Sequence, residues 1–339
     1  EVAGSSPVSP ARTEAITPSQ RTGCCLFLPT RTGMSDLSPA HHFPVLLSEV
    51  LAAADGAGRV VDATLGDGGH AAAFRTRGAE VLGIDRDPAA IDVARRRLGE
   101  EGMRYLEAPY DAPEALATVT AFRPDFVLLD LGVSSRQLDE PERGFTFRPG
   151  APLDMRMGGG GTTAAGLLNN SEPARLERIF AEYGDERRAR RLASEVVRRR
   201  THHSFAISDD FVNAIRATLG ARAGPAEFAR LFQAVRIAVN DELSRLERAL
   251  PAMRDALQPG GRLAVITYHS GEDRLVKQAF RDWARACVCP PRQPVCTCRG
   301  RSLGRVEPRK AILPQEQEVS VNPRSRSAKL RIFRVADAA

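Results

Sequence analysis

Three acids in this chain each close a short apolar run: Asp62 after "RVV", Asp85 after "EVLGI" and Asp130 after "FVLL". Between the first two lies "TLGDGGHAAAF", where Gly66, Gly68 and Ala71 fit a G-x-G-x-x-A spacing and Asp85 follows Gly66 by 19 residues. A glycine-rich turn between a strand and a helix presents backbone N–H groups to a ligand, and an acid ending the next strand is placed for the two hydroxyls of a ribose. The pattern calls for an adenosine-containing cofactor, and by itself does not separate a nicotinamide dinucleotide from S-adenosylmethionine. Two features favour the second. Asp62, directly before the turn, suits a cationic amino-acid tail better than a pyrophosphate. Asp130-Leu131-Gly132-Val133-Ser134-Ser135 sets a carboxylate at the carboxyl edge of the sheet, beside the cofactor crevice.

The elements that must hold these residues are legible from periodicity. A helix is expected over Val45–Ala54, strands at "RVVDAT", "AEVLGIDRD" and, more weakly, "MRYLEA", and helices at "HAAAFRTRG", "PAAIDVARRRLG" and about Ala112–Thr120. "PDFVLLDLGVSS" is a further buried strand. Strands alternating with helices give an α/β fold, a Rossmann-like parallel sheet covered on both faces. The alternation then breaks. The stretch "QLDEPERGFTFRPGAPLDMRMGGGGTTAAG" is expected to be irregular and too polar for a core. Leu176, Ile179, Phe180 and Tyr183 mark an apolar helical stripe, "ERRARRLASEVVRRR" is a helix with seven arginines, and helices continue to about Leu250. The sheet resumes at "GGRLAVITYHS" and closes with "AKLRIFRV". The expected organisation is a sheet domain of residues 34–139 and 246–339 interrupted by a helical insertion, 140–245. Residues 1–33 lack periodicity and are expected to be disordered or to precede the true start.

Composition narrows the class. The 339 residues are 42% hydrophobic and carry a net charge of +6, and all but three of the basic residues are arginine. This charge favours an acidic partner such as RNA or DNA. No apolar run approaches the roughly 18 residues of a membrane span, and no secretory signal is evident, so a cytoplasmic, reducing setting without disulfides is expected. Cys287-x-Cys289 and Cys296-x-Cys298 put four thiols in twelve residues. That inventory suits zinc, but C-x-C is tighter than the usual C-x₂-C spacing. Free thiols are the favoured reading, and no metal is assigned.

The segments "HFPVLLSEV", "LGDGGHA", "GIDRDPAAI", "LLDLGVSSRQLDEPERGFTFRPGAPLDMRM", "YGDERRARRLA", "FQAVRIAVNDELSRLERAL", "GGRLAVITYHSGEDRLVK" and "NPRSRSAKLR" follow one another in order. Together they resemble the bacterial small-subunit ribosomal RNA cytosine-N4 methyltransferase family, RsmH or MraW, over about residues 41 to 334. The resemblance implies a class I S-adenosylmethionine-dependent methyltransferase sheet with a helical insertion. It also implies methylation of a cytosine amine in the decoding centre of 16S rRNA, with the assembled or nearly assembled small subunit as partner. For the cofactor it implies Gly68, Gly69, His70, Asp85, Tyr110, Asp130 and Gln137. Two departures stand out: Arg136 replaces a usual proline and should loosen the turn before Gln137, and Tyr268 and Gly271 stand where Phe and Leu are common.

The cytosine amine is a poor nucleophile, so a group accepting its N–H bonds is needed. Asp130 is the first candidate, with Ser134 and Ser135 beside it; His269 is the second, a structural histidine being the alternative. Arg187, Arg188, Arg190 and Arg191, with Arg198–Arg200, are candidates for RNA phosphates or else a solvated helix face. Two rival functions remain on the residues alone: a nicotinamide-dependent dehydrogenase, and an RNA-binding assembly factor without catalysis.

Overall fold

Val60 and Val61, at the centre of strand β1 (Arg59–Asp62), are both buried, and they point to opposite faces of the sheet. The computed structural model describes residues 43–338 apart from Pro291. Residues 1–33, with Cys24 and Cys25, lie outside the described residues. Along the chain come α1 (Leu47–Ala53), β1, α2 (Gly69–Thr76), β2 (Glu80–Asp85), α3 (Pro88–Leu98), β3 (Met103–Glu107), α4 (Pro113–Phe122) and β4 (Phe126–Asp130). The short helix α5 (Ser135–Asp139) leads to α6 (Ala164–Asn170), α7 (Pro173–Arg178), a π-helical turn at Ile179–Tyr183, α8 (Ala189–Arg200), α9 (Ser208–Leu219) and α10 (Pro225–Asn240). The sheet returns through α11 (Glu242–Ala256), β5 (Arg262–Thr267), α12 (Ser270–Ala284), β6 (Gly304–Val306), α13 (Glu316–Val321) and β7 (Lys329–Val335).

The strand order is β3-β2-β1-β4-β5-β7-β6, with the neighbours among β1 to β5 parallel and β7 antiparallel to both β5 and β6. This is a class I methyltransferase sheet, Rossmann-like, with its order reversing between β1 and β4. At such a switch point the carboxyl ends of the strands open a crevice. Asp62, Asp85 and Asp130 therefore share one rim. Period-two alternation sorts the core. Val61, Leu82, Ile84, Leu129 and Val265 pack against α4, α11 and α12, while Val60, Val81, Leu128 and Ile266 face α1, α2 and α3. The three-residue β6 carries no apolar run and was not anticipated.

The helical region has its own core, in which Phe211 lies 5.8 Å from Phe180 and 5.2 Å from Phe232 between ring centroids. The glycine-rich stretch preceding it departs from its expected character. It holds most of α5, a 3₁₀ turn at Pro141–Arg143 and the start of α6, and in the irregular chain between them Leu153 and Met155 are 2% and 1% exposed within that core. Leu153 donates to the Ala206 carbonyl and accepts from Ala165, so its backbone is satisfied without regular structure. Asn240, at the end of α10, fixes the same stretch: its amide accepts from Met157 N at 2.9 Å and donates to Met155 O at 2.7 Å. Among the described residues no helix is long and apolar enough to cross a membrane.

Candidate active site

The glycine turn follows β1 and starts α2. Gly66 and Gly68 have φ of 51° and 77°, left-handed values that a residue without Cβ adopts freely. Their surroundings differ. A Cβ on Gly68 would stand 2.8 Å from Leu98 Cδ1, and one on Gly69 would stand 2.7 Å from Pro44 Cγ. The rigid Pro44 ring therefore demands glycine at position 69 apart from any ligand, while at Gly68 the Leu98 methyl can turn aside and the positive φ is what favours glycine. At Gly66 a Cβ would meet nothing within 4 Å. That position is the open side of the turn. Asp85 reaches it from β2: one carboxylate oxygen accepts from Gly66 N at 2.8 Å and the other from Asp87 N at 2.9 Å. Burial raises the Asp85 pKa against these two bonds.

Asp62 and Asp130 are the charged centre of the rim. Asp62 is almost fully buried and accepts from the backbone N–H groups of Thr64 and Ala71; burial first, then the nearby Asp130, pushes it up to about 7. Asp130 is pushed up to about 7 by burial as well, opposed by the hydroxyl of Tyr268, which donates to Oδ1 at 2.9 Å. Its side chain still keeps 23% of its surface accessible, so it sits poorly hydrated in a recess that stays open on one side. His70 lies beneath, with Nδ1 3.7 Å from Asp130 Oδ2. This approach is not an ion pair: burial lowers the imidazole to about 4, and Nε2 donates to the Val45 carbonyl at 3.0 Å, which assigns the neutral ring's proton.

Beyond β4, Ser134 and Gln137 close a capping box on α5: Ser134 Oγ accepts from Gln137 N at 3.3 Å and Gln137 Oε1 from Ser134 N at 3.0 Å. Arg136 does not loosen this turn. It donates to Asp67 Oδ1 at 2.6 Å, tying α5 to the glycine turn. Tyr110 lies after β3, packed on the α4 and α11 side of the core, with its phenol raised by burial. His269 caps α12: Nδ1 accepts from Gly271 N and Glu272 N at 3.2 and 3.4 Å, and Nε2 stands 3.2 Å from Glu272 Oε1 without the alignment of a hydrogen bond. With its acceptor nitrogen engaged by the helix, His269 has a positioning geometry. The hydroxyl of Tyr268 on Asp130, which spacing gave no means to anticipate, is the contact sequence reasoning missed.

The arginines of the helical region separate into two groups. Arg198 and Arg199 pair with Glu195, Arg200 holds the Leu168 and Ser171 carbonyls that end α6, and Arg188 donates to the last carbonyls of α9. Arg187, Arg190 and Arg191 are exposed and have no partner among the described residues. A cavity of about 180 Å³ is lined by Arg175, Arg178, Glu182, Tyr183, Asp241 and Leu243. Leu243 also lies close to Gly271, beside His269.

Comparison with known proteins bears on what such a rim does. A ribosomal RNA small subunit methyltransferase H of Gemmatimonas aurantiaca is 57% identical over 313 residues, which cover 91% of this chain and 99% of that protein. Proteins of the same name from Heliobacterium mobile and Rubrobacter xylanophilus are 46% and 45% identical, over 86% and 89% of this chain and 98% and 99% of their own lengths. The MraW methylase family matches residues 39–336, nearly the whole of the described sheet and helical region, and the chain belongs to that family.

Proposed function

We propose that this protein transfers a methyl group from S-adenosylmethionine to the N4 amine of a cytosine in ribosomal RNA, in the decoding centre of the 16S molecule within the small subunit. The observation that carries the reading is Asp130, poised near neutrality at the floor of the rim where the glycine turn and Asp85 converge. The cofactor suits these residues. The turn opens at Gly66, Asp85 is already oriented by two backbone donors, and Asp62, Asp85 and Asp130 together favour a cationic ligand. Asp62 and Asp130 offer a pyrophosphate no positive charge, which argues against the dehydrogenase reading.

When bound, S-adenosylmethionine supplies an electrophilic methyl carbon on a sulfonium. Asp85 takes the ribose hydroxyls, Tyr110 offers its ring to adenine, and Gly68, Gly69, His70 and Gln137 shape the remaining wall. Asp130 accepts an N–H of the cytosine amine, localising the nitrogen lone pair otherwise delocalised into the ring, and receives the proton as the new N–C bond completes. Tyr268 fixes the carboxylate rotamer, and the neutral His70 adds no competing positive charge. Holding nucleophile and acceptor in one geometry supplies the rest of the acceleration. Ser134 stays a neighbour with its oxygen turned to the helix cap, and His269 positions α12. Arg187, Arg190 and Arg191, with Arg175 and Arg178 at the cavity, contact RNA phosphates.

The test is to incubate the protein and methyl-labelled S-adenosylmethionine with small subunits from a strain lacking the gene, then digest the RNA to nucleosides. Label in N4-methylcytidine is expected. Label in another nucleoside, or none despite measured cofactor binding, rejects the reading.

A further inference from the structure

Between α12 and β6 the chain runs through "RACVCPPRQPVCTCRGRS", in which no described residue from Arg285 to Ser302 is buried. Val288 and Val295 are 41% and 70% exposed, so no apolar cluster organises this segment. Its four cysteines nevertheless converge. Cys296 Sγ lies 3.8 Å from Cys287 Sγ, 3.8 Å from Cys289 Sγ and 3.4 Å from Cys298 Sγ, and all four sulfurs lie within 4.8 Å of one another. All are free thiols. A disulfide would bring two sulfurs to about 2.05 Å. Four ligands at about 2.3 Å around one tetrahedral zinc stand about 3.8 Å apart. The observed spacing matches the second arrangement.

We propose that Cys287, Cys289, Cys296 and Cys298 bind a single structural zinc ion as a closed tetrathiolate. The tight C-x-C spacing, which weighed against a metal in the sequence, is accommodated because the two pairs approach from opposite arms of the loop. The backbone turns to suit: Val288 N donates to Cys298 Sγ at 3.4 Å, as amides around metal-bound thiolates do. Arg299 ties the far arm to the end of α12, donating to the Trp283 and Arg285 carbonyls at 3.3 and 2.9 Å and to Asp282 O. The four thiolates and a divalent ion leave two net negative charges, and Arg285, Arg292, Arg299 and Arg301 within the same loop offset them. Zinc here does what a hydrophobic core does elsewhere: it holds a polar loop in one shape.

The experiment is metal analysis of the full-length protein, freed of any affinity tag and dialysed after exposure to zinc. About one zinc per chain is expected, with retention at least fivefold lower in Cys296→Ser and in the Cys287→Ser, Cys289→Ser pair. Replacement by cobalt should give the visible bands of a tetrahedral tetrathiolate. Because a variant can fail to fold, the native chain is also titrated with a thiol reagent, and four further thiols should become reactive only after a chelator is added. Zinc-free protein with all four thiols reactive from the start overturns the proposal, as does iron in place of zinc.

Discussion

The hydroxyl of Tyr268 reaches Oδ1 of Asp130 at 2.9 Å, joining residues 138 positions apart across the β4–β5 pair. This bond lowers the pKa of a carboxyl that burial raises. Replacing Tyr268→Phe removes it. On the proposed role of the ionised acid as amine acceptor, the acidic limb of the rate–pH profile should move up by about one unit. Turnover should fall severalfold near pH 6 and change little near pH 9. An unmoved profile would mean that Asp130 does not set it.

Asp130→Asn keeps shape and removes the proposed proton acceptor. The maximal rate should drop by about 10² or more. Cofactor affinity, measured by calorimetry in the same variant, should change far less. Equal losses in both would assign Asp130 to binding alone.

Two glycine substitutions separate packing from ligand contact. Gly69→Ala forces a Cβ against Pro44 and should cost about 1–3 kcal/mol of stability. Gly66→Ala meets no protein atom and should cost about 1 kcal/mol through its positive φ, yet weaken S-adenosylmethionine binding at least tenfold. If Gly66→Ala binds the cofactor normally, the open side of the turn is not where the cofactor lies.

Asp62 makes stability fall with pH. Its folded pKa of about 7 exceeds the ordinary 3.8, so the native state holds a proton that the unfolded chain releases between those values. The stabilisation is present below pH 4 and lost as pH rises toward 7. His70, lowered to about 4, works in the opposite sense over an overlapping window. Denaturant titrations of Asp62→Asn against the parent should therefore show a stability difference that grows in the variant's favour from pH 4 to 7, by on the order of 1–3 kcal/mol. A pH-independent difference would contradict the burial of a titrating Asp62.

Arg187, Arg190 and Arg191 have no partner among the described residues, whereas Arg200 holds the end of α6. Changing the first three to alanine should leave thermal stability within error and reduce the salt dependence of RNA binding by about one logarithmic slope unit per lost phosphate contact. Arg200→Ala should do the reverse. A slope unaffected by the triple change would leave the exposed arginines as solvated surface.

Local rules made the sheet legible. Runs such as "FVLLD" and "EVLGI", with a proline opening α3 and a glycine ending it, allow little else, and the three rim acids were found as strand ends. The Ser134–Gln137 box and the short helix it opens were not anticipated, because they fall where the strand segment was expected to pass into irregular chain. What escaped obeys no period. Leu153 and Met155 enter the helical core from irregular backbone, β6 is only three residues long, and the bond from Tyr268 to Asp130 depends on two distant strands being neighbours. Arg136 misled because a missing proline signals a loose turn only when no partner such as Asp67 waits for the substituted side chain.

Asn240 grips the Met155–Met157 backbone, Arg86 donates to the Asn240 carbonyl, and Gly158 lies so near Arg86 O that a Cβ would come within 3.0 Å of it. The helices are thus riveted to the strand end that carries Asp85. Contacts from three separate stretches of chain, at Arg86, Met155–Gly158 and Asn240, meet at this joint. Removing the Asn240 amide would loosen the stretch that lies against Arg86, and so reach the strand end beside Asp85 from far away in sequence.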